Sequence, residues 1–158
     1  MTRIVNIGEA LIDEITRPNS EPVEVVGGSM LNVAAGLTRL GHESELATWF
    51  GRDARGNKVR AHAEAAGVTL TPGSDGADFT TVAHASLDER GRATYEFDLS
   101  WDVPAVEDPD SVGHVHTGSY AVVLEPGADK VLAAVKRQAI RGTVSYDPNI
   151  RPALLGTP

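Results

Sequence analysis

The chain has 158 residues, and its 14 Lys and Arg stand against 22 Asp and Glu, which gives a net charge of −8. That charge has the wrong sign for a nucleic-acid partner, because nonspecific binding depends on cations that displace counterions from phosphates. The absence of cysteine excludes a disulfide framework and thiolate chemistry, and it indicates a cytoplasmic protein. No apolar run approaches the roughly 18 residues that span a bilayer, so we expect no membrane partner.

The first part of the chain predicts strands that alternate with helices. Short apolar runs closed by glycine indicate buried strands, and apolar residues at helical spacing followed by Gly41 or Gly67 indicate helices. This order favours a parallel sheet with crossover helices. The predicted elements are a strand at 4–7, a helix at 31–40, a strand at 46–50, a helix at 59–66 and a strand at 68–70.

Two segments break that alternation. Residues 14–26 predict a loop and then a short exposed strand at 23–25. Residues 79–98 alternate apolar and polar on both sides of Asp88-Glu89-Arg90-Gly91, which predicts an antiparallel hairpin and a candidate lid. We therefore expect an α/β core over 1–13, 27–78 and 102–158, and a β lid over 14–26 and 79–101.

The α/β order then resumes. A strand is predicted at 112–117, and a helix follows with Pro126 near its first turn and Gly142 after its end. The next predicted strand, at 143–146, ends in the polar run Asp147-Pro148-Asn149-Ile150-Arg151.

Polar residues just beyond the strands are the candidates for ligand binding, because open parallel sheets bind ligands at the carboxyl ends of their strands. Asp13 and Asn32 can accept from and donate to hydroxyl groups, and Gly27-Gly28 lets a ligand approach the backbone at a helix N-terminus. A polyol needs this combination. Each residue also has a purely structural interpretation, with Asp13 capping a turn, the glycines forming a bend and Asn32 capping the helix.

Four blocks of the sequence resemble the ribokinase, or PfkB, family of carbohydrate kinases. GGSMLNVAAGLTRLG (27–41) followed by GRDARG (51–56) is similar to the first signature of the family. GEALIDE (8–14) and YDPNIRPALL (146–155) resemble its fructokinase and 2-keto-3-deoxygluconate kinase branch. The resemblance implies a ribokinase-like α/β fold, in which a mostly parallel sheet is flanked by helices and carries a small β lid.

The same resemblance implies roles for individual residues. Asp13 and Asn32 would bind sugar hydroxyls, and Gly27 and Gly28 would let the sugar lie against the backbone. Ser29 stands where ribokinase itself has Lys, which makes ribose a less favoured substrate.

From the lid, the resemblance implies an aromatic or apolar contact with the sugar. Tyr95 and Phe97 are the candidates, although two aromatic residues on one face of a strand also suit packing on the lid or against a partner subunit's lid. Arg151 follows the Asp-Pro-Asn turn and would face the site, where its guanidinium could hold a carboxylate or a phosphate.

The implied function is the phosphorylation of a sugar or sugar-acid hydroxyl, with ATP and Mg²⁺ as cofactors. In this family an Asn-x-x-Glu motif that helps to organise magnesium and a Gly-Ala-Gly-Asp motif that carries the catalytic Asp both belong to the second half, and no counterpart of that half is found in this chain. Because the family chain is about twice this length, we expect an N-terminal half that binds sugar, contains no catalytic residue and is inactive alone. The alternative is a noncatalytic sugar-binding or lid-mediated dimerisation module, and we expect a homodimer through the lid.

Metal ligation has weaker support. His114 and His116 share a face of a predicted strand, but no third ligand follows at a defined spacing, so no metal site is predicted. The segment from Gly51 to Lys58 is not a P-loop, because Asn57 separates the glycine from the lysine.

Overall fold

The computed structural model describes residues 3–106 and 109–150. It contains two β-sheets, three α-helices and short 3₁₀ turns at Pro109–Ser111 and Ser119–Val122. The strands and α-helices, in chain order, are β1 (Arg3–Ile7), β2 (Leu11–Thr16), β3 (Val23–Gly27), α1 (Ser29–Arg39), β4 (Ser44–Ala47), α2 (Ala54–Ala65), β5 (Thr69–Leu70), β6 (Val82–Leu87), β7 (Ala93–Asp98), β8 (Val112–Gly118), α3 (Gly127–Arg141) and β9 (Thr143–Asp147).

The first sheet is parallel throughout and has the strand order β5-β4-β1-β8-β9. Alternate residues of its strands belong to two separate buried clusters. Val5 and Ile7 of β1 belong to the cluster that contains Val131 of α3. Leu46 of β4 belongs to the one that contains Met30 of α1. Helices therefore cover both faces, as the strand and helix order predicted.

The second sheet has the strand order β3-β2-β6-β7. The β6–β7 pair is antiparallel, which confirms the predicted hairpin, and β3 is antiparallel to β2. The central β2–β6 pair is parallel and joins segments about 70 residues apart in the chain. On one face of this sheet, Ile12 and Val82 are buried in a cluster that also contains residues of α1 and α2. This contact packs the second sheet against the helices that cover one face of the first sheet.

Three predicted elements differ from the observed ones, and one of them is α2, which begins at Ala54, five residues before the start of the predicted helix. The sequence analysis placed a loop from residue 14 onwards, whereas β2 runs from Leu11 to Thr16 and takes residues 11–13 into the second sheet. The strand predicted at 46–50 lies instead at 44–47. That shift buries Ser44 and Glu45, whose polar groups are satisfied by side chains distant in sequence.

Those distant partners explain the shifted strand. Arg3 donates from Nε to Glu45 Oε2 at 2.8 Å, and the Thr71 hydroxyl donates to Glu45 Oε1 at 2.5 Å. Ser44 Oγ accepts from Asn6 Nδ2 at 3.0 Å. Buried polar groups are tolerated where hydrogen bonds replace water. Within the described ranges, no helix has both the length and the apolar character that crossing a bilayer requires.

Candidate functional site

A cleft of about 740 Å³ opens where the carboxyl ends of the parallel strands meet the second sheet. Its floor is formed by the residues after β1 and by the first turn of α1, and one wall is formed by β2, β6 and β7. The residues after β8 and β9 form the opposite wall. The lining residues are Glu9, Leu11, Asp13, Gly28, Ser29, Asn32, Ala83, Tyr95, Phe97, Ser119, Tyr120, Asp147 and Asn149.

Most residues that the sequence analysis selected come together here. Asp13, Gly28, Asn32, Tyr95 and Phe97 all line the cleft. Gly27 lies immediately behind Asp13, because a Cβ atom on residue 27 would occupy the position of the Asp13 carboxylate. Arg151 lies outside the residues that the structure describes.

The glycine pair allows the chain to pass close to the end of β1. Gly28 has φ of 116°, a conformation that side chains rarely adopt. A Cβ atom there would also lie 2.8 Å from the Cα atom of Ala10 and would clash with the carbonyl oxygen of Glu9. The missing side chain at residue 28 is thus required by the close approach of the chain to its own backbone after β1, and the approach of a ligand to this backbone stays a prediction.

Helix α1 begins at Ser29, so Asn32 lies inside the helix and is not its cap. Gly28 occupies the N-cap position without a side chain to accept a hydrogen bond. Glu9 takes that role from the end of β1, because its Oε1 atom accepts from the backbone N–H of Ser29 at 3.1 Å and from the Ser29 hydroxyl. The exposed side chain of Asn32 is thereby left facing the cleft.

The second sheet contributes one polar and two aromatic side chains. Asp13, Ala83 and Phe97 are successive cross-strand partners and therefore share a face of the sheet. The rings of Tyr95 and Phe97 are stacked, with centroids 6.4 Å apart and planes 15° apart. Tyr95 is 55% exposed, which leaves aromatic surface available at the cleft.

The opposite wall contains two residues with an unusual backbone. Ser119 has φ of 54° and Asn149 has φ of 39°, both uncommon for residues with a side chain. Asn149 Nδ2 donates to Ser119 Oγ at 3.5 Å, which links the ends of β8 and β9. Such conformations cluster at functional sites. The sequence analysis placed Asn149 in a polar run after a strand, but it contained no signal for Ser119.

The charged residues that line the cleft are the acids Glu9, Asp13 and Asp147, and no Lys, Arg or His of the described chain joins them. Burial raises the pKa of the Tyr120 hydroxyl well above its usual value, and the charge of Glu9 raises it further. The tyrosine therefore stays a neutral phenol at ordinary pH. The described lining is rich in hydrogen-bond acceptors and contains no cation that would attract an anionic ligand.

Within the described ranges, no group of three or more His, Cys, Asp or Glu is arranged to hold a metal ion. The two strand histidines both contact Ser145: His114 Nε2 lies 2.8 Å and His116 Nδ1 lies 2.7 Å from its Oγ atom. Both side chains thus point to the same face of β8, as predicted.

Comparison with known proteins identifies the class to which this fold and cleft belong. The model of the pfkB family carbohydrate kinases matches residues 1–157. The chain belongs to this family, which confirms the resemblance read from its four sequence blocks and the ribokinase-like α/β fold. It is 31% identical over 156 residues to the fructokinase of Salmonella typhimurium, an alignment that covers 94% of this chain and 51% of that enzyme. The chain spans about half the length of the curated relatives it matches.

Solved structures give the same result for the fold. A double mutant of Vibrio cholerae fructokinase, solved with fructose, ADP and potassium ion, matches with a TM-score of 0.77 at 23% identity, covering 99% of this chain and 53% of that one. A sugar kinase from Pyrococcus horikoshii, solved with ATP, matches with a TM-score of 0.74 at 26% identity, covering 96% and 54%.

Proposed function

We propose that this chain supplies the sugar-binding half of a carbohydrate kinase that transfers the γ-phosphoryl group of ATP to a sugar hydroxyl. One observation carries the proposal: Asp13 and Asn32 face the same cleft as the stacked rings of Tyr95 and Phe97. A sugar presents hydroxyl groups at its edge and C–H groups on its faces. The cleft offers matching partners for both.

The residues of the cleft would position the sugar. Asp13 would accept hydrogen bonds from hydroxyls, Asn32 would accept and donate, and Gly28 adds a stretch of lining without a side chain. The rings of Tyr95 and Phe97 would cover a C–H face and exclude water. Phosphoryl transfer depends mainly on such positioning and on charge stabilisation. In this proposal the second sheet acts as the lid, and the expected core and lid boundaries stay a prediction.

ATP would supply the phosphoryl group, and Mg²⁺ would neutralise charge on the phosphates. The ATP- and ADP-bound relatives support the use of this nucleotide. The sequence predicts no complete site for either group in this chain, so we assign no step of the transfer to it. A cytoplasmic location fits an enzyme that uses ATP, and it too is a proposal.

The test is sugar-dependent ADP release, measured on this chain and on a protein extended to the full length of the relatives. We expect turnover only in the extended protein, and a large loss of turnover there when Asp13 is replaced by Ala. If the extended protein folds and binds ATP but releases no ADP with any of a panel of sugars and keto-sugar acids, the proposed activity is wrong. Turnover by the 158-residue chain would show that it contains the catalytic base.

A second candidate function, a dimerisation module, has its own observation. Val23 and Val25 of the edge strand β3 are 50% and 49% exposed, an unusual concentration of apolar surface on a strand. Val25 lies in register with Asp13, so this surface adjoins the face of the second sheet that lines the cleft. We propose a homodimer through the second sheet.

Light scattering after gel filtration tests the dimer independently of the kinase proposal. Dimerisation predicts that the chain elutes as a dimer and that Val25→Glu converts it to a monomer of unchanged helix content. A wild-type monomer at every concentration would contradict the dimer without touching the kinase proposal.

A further inference from the structure

Glu9 is a buried acid at the floor of the cleft, and only half of its carboxylate has a partner. The residue is 3% exposed and lines the cleft. Its Oε1 atom accepts two hydrogen bonds from Ser29. Its Oε2 atom is buried and makes no hydrogen bond within the described part of the chain. Native proteins rarely leave a buried carboxylate oxygen unpaired. We therefore expect a ligand group to donate a hydrogen bond to this atom.

Capping of helix α1 does not account for both oxygens. The backbone N–H and the hydroxyl of Ser29 both bond to Oε1, so the hydrogen bonds that cap helix α1 use only one of the two carboxylate oxygens. The nearby phenol of Tyr120 does not fill the gap, because Oε2 accepts no hydrogen bond from it. The second oxygen of Glu9 therefore makes no hydrogen bond within the described chain.

We propose that Oε2 of Glu9 accepts a hydrogen bond from a sugar hydroxyl, in addition to the contacts expected of Asp13 and Asn32. The inference rests on the proposed sugar site and adds a binding residue to it. Ser29 fixes the orientation of the carboxylate by holding Oε1. Because Oε2 is itself buried, a ligand hydroxyl reaches it when a neighbouring side chain of the cleft moves aside.

This assignment narrows the class of ligand. A carboxylate oxygen accepts but cannot donate, so the group that meets Glu9 must be a hydroxyl with its hydrogen available. A carboxylate or phosphate at that point of the ligand would meet like charge from Glu9 and Asp13, with no described cation in the lining to offset it. The cleft thus favours a neutral polyhydroxy sugar over a sugar acid at the Glu9 end.

The test is calorimetric binding of D-fructose and of its monodeoxy and monodeoxyfluoro analogues to the wild-type chain and to Glu9→Gln. Fluorine cannot donate a hydrogen bond, so the analogues identify which hydroxyls act as donors. We expect one position at which the wild type loses tenfold or more in affinity on loss of the donor. In Glu9→Gln, fructose itself should bind about tenfold more weakly. Replacing the hydroxyl at that one position should cause no further loss of affinity in the variant, whereas replacing the other hydroxyls should weaken binding as it does in the wild type.

A second measurement does not depend on the variant folding. In the wild-type chain labelled with ¹³C at glutamate carboxyls, the Glu9 resonance should shift on addition of fructose and stay unshifted with the analogue that lacks the relevant donor. Equal fructose affinity and equal analogue profiles in the two proteins would overturn the role of Glu9 alone. If Glu9→Gln weakened the binding of fructose and of every analogue by the same factor, Glu9 would act only as the cap of helix α1 and the proposal would be wrong. If the folded wild type binds no sugar, the proposed sugar site fails as well.

Discussion

The carboxylate of Asp13 occupies the space that a Cβ atom of Gly27 would need. The two residues belong to neighbouring antiparallel strands, with Leu11 opposite Gly27 and Asp13 opposite Val25. A glycine at the end of β3 therefore determines where the Asp13 side chain can lie. Because Asp13 lines the cleft, glycine at position 27 is needed to keep the Asp13 side chain in its place there.

We predict that Gly27→Ala weakens sugar binding more than it weakens the fold. The atom displaced is the end of a flexible side chain, so Asp13 can rotate away at little cost to the free energy of unfolding. Loss of its hydrogen bond should lower sugar affinity by about tenfold, which corresponds to ~1.4 kcal/mol. Calorimetry measures the affinity and urea unfolding measures the fold. Wild-type affinity in a folded variant would show that Asp13 does not bind the sugar.

Gly28→Ala should do the opposite and damage the fold itself. Residue 28 has a positive φ, and an added Cβ atom would meet the backbone of Glu9 and Ala10. Backbone atoms cannot move aside as the end of a side chain can. We expect the free energy of unfolding to fall by more than about 1 kcal/mol, the penalty for a side chain in a left-handed conformation. Gly36→Ala is the matched control: it lies inside α1 with no atom near its Cβ position, and the change should stabilise by about 0.5–1 kcal/mol. Equal stability of both variants would contradict the strain at Gly28.

The local sequence pattern predicted elements that form between residues close together in the chain. Alternation across residues 79–98 predicted the β6–β7 hairpin, and apolar spacing predicted α1. Strand β2 was missed because LIDEIT does not alternate cleanly, and its parallel partner β6 lies far along the chain. Strand β4 was shifted because Ser44 and Glu45 look like surface residues until Arg3 and Asn6 are placed beside them.

The residues that line the cleft likewise divide into those that the sequence could select as candidates and those that it could not. Asp13, Gly28 and Asn32 belong to short blocks with fixed spacing, so a family resemblance could identify them. Glu9 and Ser119 could not be assigned, because their positions depend on how the ends of β1, β8 and β9 converge. Neither an unpaired carboxylate oxygen nor a positive φ is visible in a sequence.

Asp53 connects helix α2 to the start of β6, and its removal should destabilise the fold. Its Oδ1 atom accepts from the N–H of Gly56 at 2.7 Å and from the Thr80 hydroxyl at 2.8 Å, and its Oδ2 accepts from the N–H of Thr80 at 2.9 Å. Burial alone would raise the pKa of Asp53, but these hydrogen bonds outweigh it and lower the pKa. The stabilisation is thus present above the ordinary value of 3.8 and is lost as the pH falls through the lower folded value.

We expect Asp53→Ala to lower the free energy of unfolding at neutral pH by about 0.5–2 kcal/mol, the usual cost of losing a helix cap. Asp78→Ala, at an exposed position, is the control. Urea unfolding measures both variants, and indistinguishable stabilities would contradict the structural role of Asp53.

The second sheet should lose stability as the pH rises past neutrality. His84 Nδ1 lies 2.8 Å from Glu14 Oε1, and its Nε2 lies 3.1 Å from Asp98 Oδ2. Asp98 and then Glu14 favour the protonated ring and raise the pKa of His84 above 6.5. A raised folded pKa contributes stability that is full below the unfolded pKa and is lost as the pH rises through the folded value.

His84→Gln should therefore remove part of the decline in unfolding free energy between about pH 5.5 and pH 8.5, the interval around the ordinary histidine pKa. His62→Gln, on an exposed position of α2, should leave that decline unchanged. Parallel pH profiles for wild type and His84→Gln would show that these ion pairs contribute nothing to stability.

The most direct test of the sugar site is calorimetric titration of D-fructose into the folded chain, wild type against Asn32→Leu. Leucine fills the space of asparagine but leaves the ligand hydroxyls unpaired, which should cost about 1–3 kcal/mol, or roughly 5- to 150-fold in affinity. Asn57→Leu, at an exposed position of α2 away from the cleft, controls for a new surface leucine. The account predicts saturable binding by the wild type and by Asn57→Leu, and much weaker binding by Asn32→Leu. Equal affinity in all three proteins, with circular dichroism showing them folded, would contradict the placement of the sugar in this cleft.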